Sequence, residues 1–233
     1  KTTGMRSQAE ICVLTRQAAS TVKATTMDRP EWVAINPNKV EAYCCLTNNK
    51  NRGKMPNAGG DETPTNGPNP RVGNMYGQIV RWTPANCDHT SDDFTWDLFV
   101  LAGNPTVHSD LNAGSKNINA GNLFNSPDAI LVDDNGLMWI RTDGKDNNKG
   151  NFIGMGNNQM LVADTTTGEI KRFLVGPREC EITGLAWSID KKTLFLGIQH
   201  PGHKGGGHFP DGGQSVPRSS IIAIRRDDGQ EIC

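Results

Sequence analysis

Four residues combine a reactive type with a repeated placement: Arg29 and Glu31 in Arg29-Pro30-Glu31, Asp128 in Ser126-Pro127-Asp128, and Glu181 in Glu179-Cys180-Glu181. Each acid stands at the start of a short apolar segment. Carboxylates brought into one confined space repel and raise one another's pKa unless a cation sits between them. Their hard oxygens suit calcium or magnesium, with ferric iron as a further option. A guanidinium beside such a group suits a phosphate, which it grips through two parallel hydrogen bonds. Arg29 and Glu31 are two residues apart, so in an extended segment their side chains project the same way. The plainer alternatives stay open: each acid caps backbone amides of its own segment, or Arg29 only neutralises Glu31 or Asp28.

Other reactive types have weaker placement. His200, in Gln199-His200-Pro201-Gly202, ends an apolar segment and is expected to face the same space, whereas His203 and His208 fall in a Gly-rich loop. Gly205-Gly206-Gly207 has no helix after it and is no phosphate loop. Neither a Gly-x-Ser-x-Gly elbow nor a His-Glu-x-x-His pair occurs, which leaves a serine hydrolase without support. Six cysteines (Cys12, Cys44, Cys45, Cys87, Cys180, Cys233) show no Cys-x-x-Cys or Cys/His zinc spacing, and most are expected to be buried small hydrophobes. Cys44 and Cys45, adjacent in one strand, should point to opposite faces.

The elements that must position these groups are short strands. Hydrophobic residues make up 35%, with 26 Gly and 13 Pro, a balance of strands and tight turns. Residues 7–24 form the exception: Ile11, Leu14, Ala18 and Val22 share a helical stripe, with Ser7 as cap and Glu10 three residues on. Thereafter three segments repeat one grammar of acid, strand, polar turn and second strand, with further strands following. The expected strands are Trp32–Ile35, Glu41–Thr47, Gly77–Trp82 and Phe94–Leu101; Ala129–Val132, Leu137–Thr142, Met160–Ala163 and Glu169–Val175; Ile182–Trp187, Thr193–Gln199 and Ser220–Arg225. Units of about 40–50 residues built on four strands are the mark of propeller blades. The predicted fold is all-β: about three blades of a probable six, near residues 26–103, 122–176 and 177–230, after one short helix. In a propeller the first strand of each blade lines the channel, so Glu31, Asp128 and Glu181 occupy equivalent places. Trp32, Trp82, Trp96, Trp139 and Trp187 are expected to pack between blades, and the Asn/Gly-rich stretch 48–77 to be a surface insertion, a lid or a calcium-binding loop.

Three blades do not close a ring, since propellers carry four to eight. The chain is therefore expected to be part of a longer polypeptide or to pair with another copy. It starts on Lys, has no apolar leader in its first residues, and reads as a mature or truncated product. No membrane span is expected, because no run approaches about 18 apolar residues. With 24 basic and 25 acidic residues spread along the chain, no basic stripe marks a nucleic-acid surface.

The blocks Met27-Asp28-Arg29-Pro30-Glu31-Trp32, Leu46-Thr47-Asn48-Asn49, Trp96 to Gly103, Ser126-Pro127-Asp128, Thr142-Asp143-Gly144, Asn157 to Leu161, Cys180 to Gly184 and Gln199-His200-Pro201-Gly202 occur in this order. Together they resemble PhoX-type calcium-dependent alkaline phosphatases, over residues of about 8 to 228. The resemblance implies an exported, periplasmic or extracellular, six-bladed enzyme that hydrolyses phosphomonoesters at a site of iron and calcium. It implies a phosphate-contacting role for Arg29 and a metal-ligating role for Glu31; Asp128 and Glu181 join as metal ligands on the propeller argument. It also implies that an N-terminal half supplies a cysteine ligand, a lysine and further carboxylates, so that this chain carries part of a site. Two rivals remain at this stage: a calcium-dependent propeller lactonase or phosphotriesterase, and a non-catalytic calcium-binding propeller module.

Overall fold

All eleven apolar segments expected as strands are strands in the computed structural model, which describes residues 4–232. Blade 1 is an antiparallel sheet of β1 (Pro30–Ile35), β2 (Ala42–Leu46), β3 (Gln78–Pro84) and β4 (Phe94–Leu101), in chain order. Blade 2 repeats the arrangement with β5 (Pro127–Val132), β6 (Leu137–Thr142), β7 (Gln159–Asp164) and β8 (Ile170–Val175). Blade 3 has three strands among the described residues, β9 (Glu181–Trp187), β10 (Leu194–Gln199) and β11 (Ser220–Ile224).

Side-chain alternation packs the blades face to face. Tyr43, Cys45, Ile79 and Val100 of blade 1 meet Ile130, Met138, Ile140 and Leu161 of blade 2 in one apolar core. Trp139 and Met160 of blade 2 meet Ile182, Leu194, Leu196 and Ile198 of blade 3 in a second. Trp139 lies edge-on to Trp187, with ring centroids 5.3 Å apart, so these two tryptophans do pack between blades. Trp32 and Trp96 do not: they are 53% and 45% exposed, on blade 1 away from blade 2. On that side Val33 and Ile35 are exposed as well, and Phe195 and Ile221 are exposed on blade 3.

The expected single helix is two, α1 (Gln8–Val13) and α2 (Thr15–Thr21), broken at Leu14. The Thr15 hydroxyl donates to the carbonyls of Ile11 and Cys12, competing with the helical ladder there. Ser7 caps α1 through Glu10 N as expected, and of the apolar stripe only Ala18 is buried. The cysteines also depart from expectation. Cys45 and Cys180 are buried, Cys44 is half-buried on the opposite face from Cys45, and Cys12 and Cys87 are exposed; all five thiols are free. Cys233 lies outside the described residues. No described helix is long and apolar enough to cross a membrane.

Candidate active site

Each inner strand begins with the same two devices. The residue two before each acid has left-handed backbone: φ is 52° at Arg29, 53° at Ser126 and 61° at Glu179, none of them glycine. Each inner strand then carries one residue more than its neighbour. Between Pro30 and Val33, β2 advances by only two; between Pro127 and Ala129, β6 advances by only one; between Ile182 and Leu185, β10 advances by two. Extra residues of this kind bend a strand and re-aim side chains, and they gather beside active sites. Glu31 and Asp128 sit within the irregular stretch of their strands, and Glu181 just before its own.

Arg29 and Glu31 come together as expected, though not through an extended segment: the left-handed turn at Arg29 leaves its Nη2 3.5 Å from Glu31 Oε1. Arg29 Nη1 also donates to Asn48 Oδ1 at 3.3 Å, at the end of β2. Asp28 is not available to Arg29, because Arg52 holds it in a fully buried ion pair of 2.6 Å. Asn74 Nδ2 adds 2.9 Å to the second Asp28 oxygen, and the Asp28 amide donates to Asn69 Oδ1. The stretch 48–77 is thus no loose insertion. Buried Arg52, Asn69, Asn74 and Gln78 bolt it to Thr26 and Asp28 at the entry of β1, and buried Arg71 ties it to the carbonyls of Gly77 and Ala102.

The acids share one electrostatic field. Burial pushes the Asp128 carboxyl up to about 6, helped by Glu31 and Asp143 and opposed by Arg29 and the Thr47 hydroxyl. Burial likewise pushes Glu181 up to about 7, helped by Asp143 and Asp128 and opposed by His200. Gln199 Nε2 donates to Glu181 Oε2 at 2.8 Å, and His200 Nε2 lies 3.5 Å from the same oxygen. His200 therefore faces the site. His203 packs edge-on against it, and His208 turns away to the carbonyl of Ser215. The buried thiol of Cys180 is pushed up to about 12 and that of Cys44 to about 11, so neither offers a thiolate.

Asp143 was not singled out by the sequence as a site residue. Its signal was strand pairing: Thr142, at the end of β6, is the antiparallel partner of Pro127, so Asp143 falls opposite Ser126, whose carbonyl accepts its amide at 3.1 Å, and its charge is felt at Asp128. Gly144 fixes the turn, since a Cβ there would stand 1.9 Å from Asn125 Oδ1. The same logic brings Asn48 from the end of β2 and Gln199 from the end of β10 to the site.

Four carboxylates of hard oxygens, two of them pushed up by burial, suit a hard cation in kind. In number they fall short: among the described residues no three His, Cys, Asp or Glu side chains are grouped closely enough to hold a metal ion. The expected cage of converging acids is therefore incomplete within this chain. A cleft of about 490 Å³ opens beside them, with Arg29 and Asp143 on its border and Asn48, Asn74, Met75 and Phe152 along its walls.

The chain matches the family model described as Alkaline phosphatase PhoX over residues 1–202. It is similar to the solved structure of Pseudomonas fluorescens PhoX in complex with vanadate, a transition state analogue: 53% identity and a TM-score of 0.93, covering 99% of this chain and 39% of that one. A gluconolactonase from Xanthomonas campestris, XC5397, aligns at 14% identity over 88% of this chain and 61% of its own, with a TM-score of 0.34 that carries no argument. No curated protein matches. Three blades that each enter their inner strand through a left-handed turn, with the Arg-Pro-Glu block in the first, match that PhoX structure over nearly their whole length, and the chain belongs to the PhoX alkaline phosphatase family.

Proposed function

We propose that this chain carries one side of a phosphomonoesterase active site, with Arg29 as the phosphate-gripping group and Glu31, Asp128, Asp143 and Glu181 as oxygen donors to calcium and iron. The observation that carries it is the placement of Arg29 on an open cleft shared with Asp143, paired with Glu31 and within the field of Asp128. The relative whose structure holds vanadate supports it, because vanadate imitates a phosphoryl group in transfer.

The reaction adds water to the phosphorus and releases an alcohol and phosphate. Arg29, limited in its motion by Glu31 and Asn48, presents two parallel N–H groups to phosphoryl oxygens and offsets charge that develops on them. When bound, the cations neutralise the phosphoryl oxygens and act as Lewis acids. Asp128 and Glu181 give up their protons to become donors, and Gln199 with His200 holds Glu181 by Oε2, leaving Oε1 free to turn inward. Donors beyond these four come from outside the chain. The apolar faces of blades 1 and 3 support closure by further blades, from the same polypeptide or another copy. Export to the periplasm or medium belongs to the same reading and rests on the family resemblance; cell fractionation tests it.

The assignment is tested in the protein with p-nitrophenyl phosphate as substrate and metal analysis alongside. Arg29→Ala lowers kcat/KM by about 10²–10³-fold with metal content retained, the loss expected for one preorganised donor. Glu31→Gln lowers metal content and turnover together. Normal metal content and rate in Glu31→Gln overturns the assignment.

A further inference from the structure

Beyond the carboxylates the surface changes sign. The cleft bordered by Arg29 is also lined by Lys50, Lys145 and Lys204. A second cleft of about 370 Å³ adjoins it, sharing Lys145 and Lys204 and adding Lys149 and Arg178. Both volumes fall in the ~300–1,000 Å³ range of small-molecule sites. Five cations thus follow one another away from the phosphate-gripping Arg29 on a chain whose net charge is −1.

The acids along this track are engaged. Asp146 is paired with Lys204 at 3.4 Å, and the Glu179 carboxylate accepts the backbone amides of Lys204 and Gly206 at 2.7 and 3.1 Å. Asp143 belongs to the carboxylate group. Among the described residues Lys50, Lys145, Lys149 and Arg178 have no ion-pair partner. The floor of the first cleft is apolar where Phe152 and Met75 line it. Tyr76 packs against the Phe152 ring at 5.6 Å and is itself tied to the carbonyl of Asn151, so that surface is fixed in advance.

We propose that the two clefts form a leaving-group subsite, in which Lys50 and Lys145 with their basic neighbours select phosphomonoesters whose leaving group carries a second phosphate. The inference rests on the phosphatase reading for the identity of the first phosphate. Arg29 takes the phosphate to be transferred, Phe152 and Met75 support the carbon skeleton, and the lysines receive the distal phosphate. Water's oxygen bonds to the proximal phosphorus, the ester P–O bond breaks, and the leaving oxygen takes a proton; the distal phosphate is untouched.

The test compares fructose 1,6-bisphosphate with glucose 6-phosphate in the protein and in the Lys50→Gln/Lys145→Gln double variant. The ratio of their kcat/KM values falls about two- to thirtyfold in the variant, the effect of removing two exposed charges. The wild-type preference disappears at about 1 M salt, where the screening length is about 3 Å. Equal losses on both substrates, or none on either, overturn the subsite. Calorimetric binding of inorganic pyrophosphate is measured alongside. If, with the further blades that complete the site, the wild type hydrolyses neither these two substrates nor p-nitrophenyl phosphate, the phosphatase reading falls, and weaker pyrophosphate binding by the variant still upholds the subsite. Equal binding overturns it. Unchanged urea midpoints show that the surface substitutions leave the fold intact.

Discussion

Asp128 and Glu181 keep their protons to about pH 6 and about pH 7, against ordinary values of 3.8 and 4.5, because they are buried among other acids. Between those limits the folded chain binds protons that the unfolded chain has released, so stability falls as pH rises through the window. Both groups are partly open to solvent, which reduces the effect to on the order of 1 kcal/mol for the pair. With chelator present, the urea midpoint is therefore higher at pH 5 than at pH 8, and the Asp128→Asn/Glu181→Gln double variant flattens the difference. An unchanged slope in that variant would assign the pH effect to other groups. Arg29 depends on its own geometry in a different way. Lysine at this position retains the charge but loses the planar pair of donors. Arg29→Lys therefore has a turnover close to that of Arg29→Ala, measured with the same aryl phosphate.

At the scale of elements, the stretch 48–77 is held by a fully buried ion pair. Removing Asp28 leaves Arg52 fully buried and uncompensated. Asp28→Ala therefore costs about 3–5 kcal/mol in urea unfolding, whereas Lys50→Gln on the same stretch costs almost nothing. Gly77 is a second fixed point: its φ is 78°, and a Cβ would stand 2.0 Å from the carbonyl oxygen of Thr47. The strands were legible in the sequence because alternation and turn residues mark them directly, and so was the equivalence of Glu31, Asp128 and Glu181. Helix continuity through Leu14 was not, since a correct stripe says nothing of Thr15 competing for the carbonyls behind it. Asp143 and Gln199 were hidden for a related reason. They reach the site by pairing across a blade, and register depends on the extra residue in each inner strand, which leaves no compositional trace.

At the scale of the molecule, the described residues form a stack of three sheets with two apolar cores and two open apolar faces. Ile35 is 61% exposed at one end and Ile221 78% at the other. Exposed apolar sheet faces seek partners. Light scattering on the 233-residue chain should show association that rises with concentration, and Ile35→Lys with Ile221→Lys should restore the monomer. A wild-type chain that stays monomeric at high concentration contradicts closure of the stack by further sheets. The left-handed entries at Arg29, Ser126 and Glu179 set function against stability. Each holds a side chain where glycine would sit with less strain, at a cost of roughly 1–2 kcal/mol. Glycine at any of the three would relieve that strain, and at the first it would remove the guanidinium with it. Arg29→Gly should therefore yield an inactive protein that melts at a higher temperature than the wild type, so that the group gripping phosphate is held at the expense of stability.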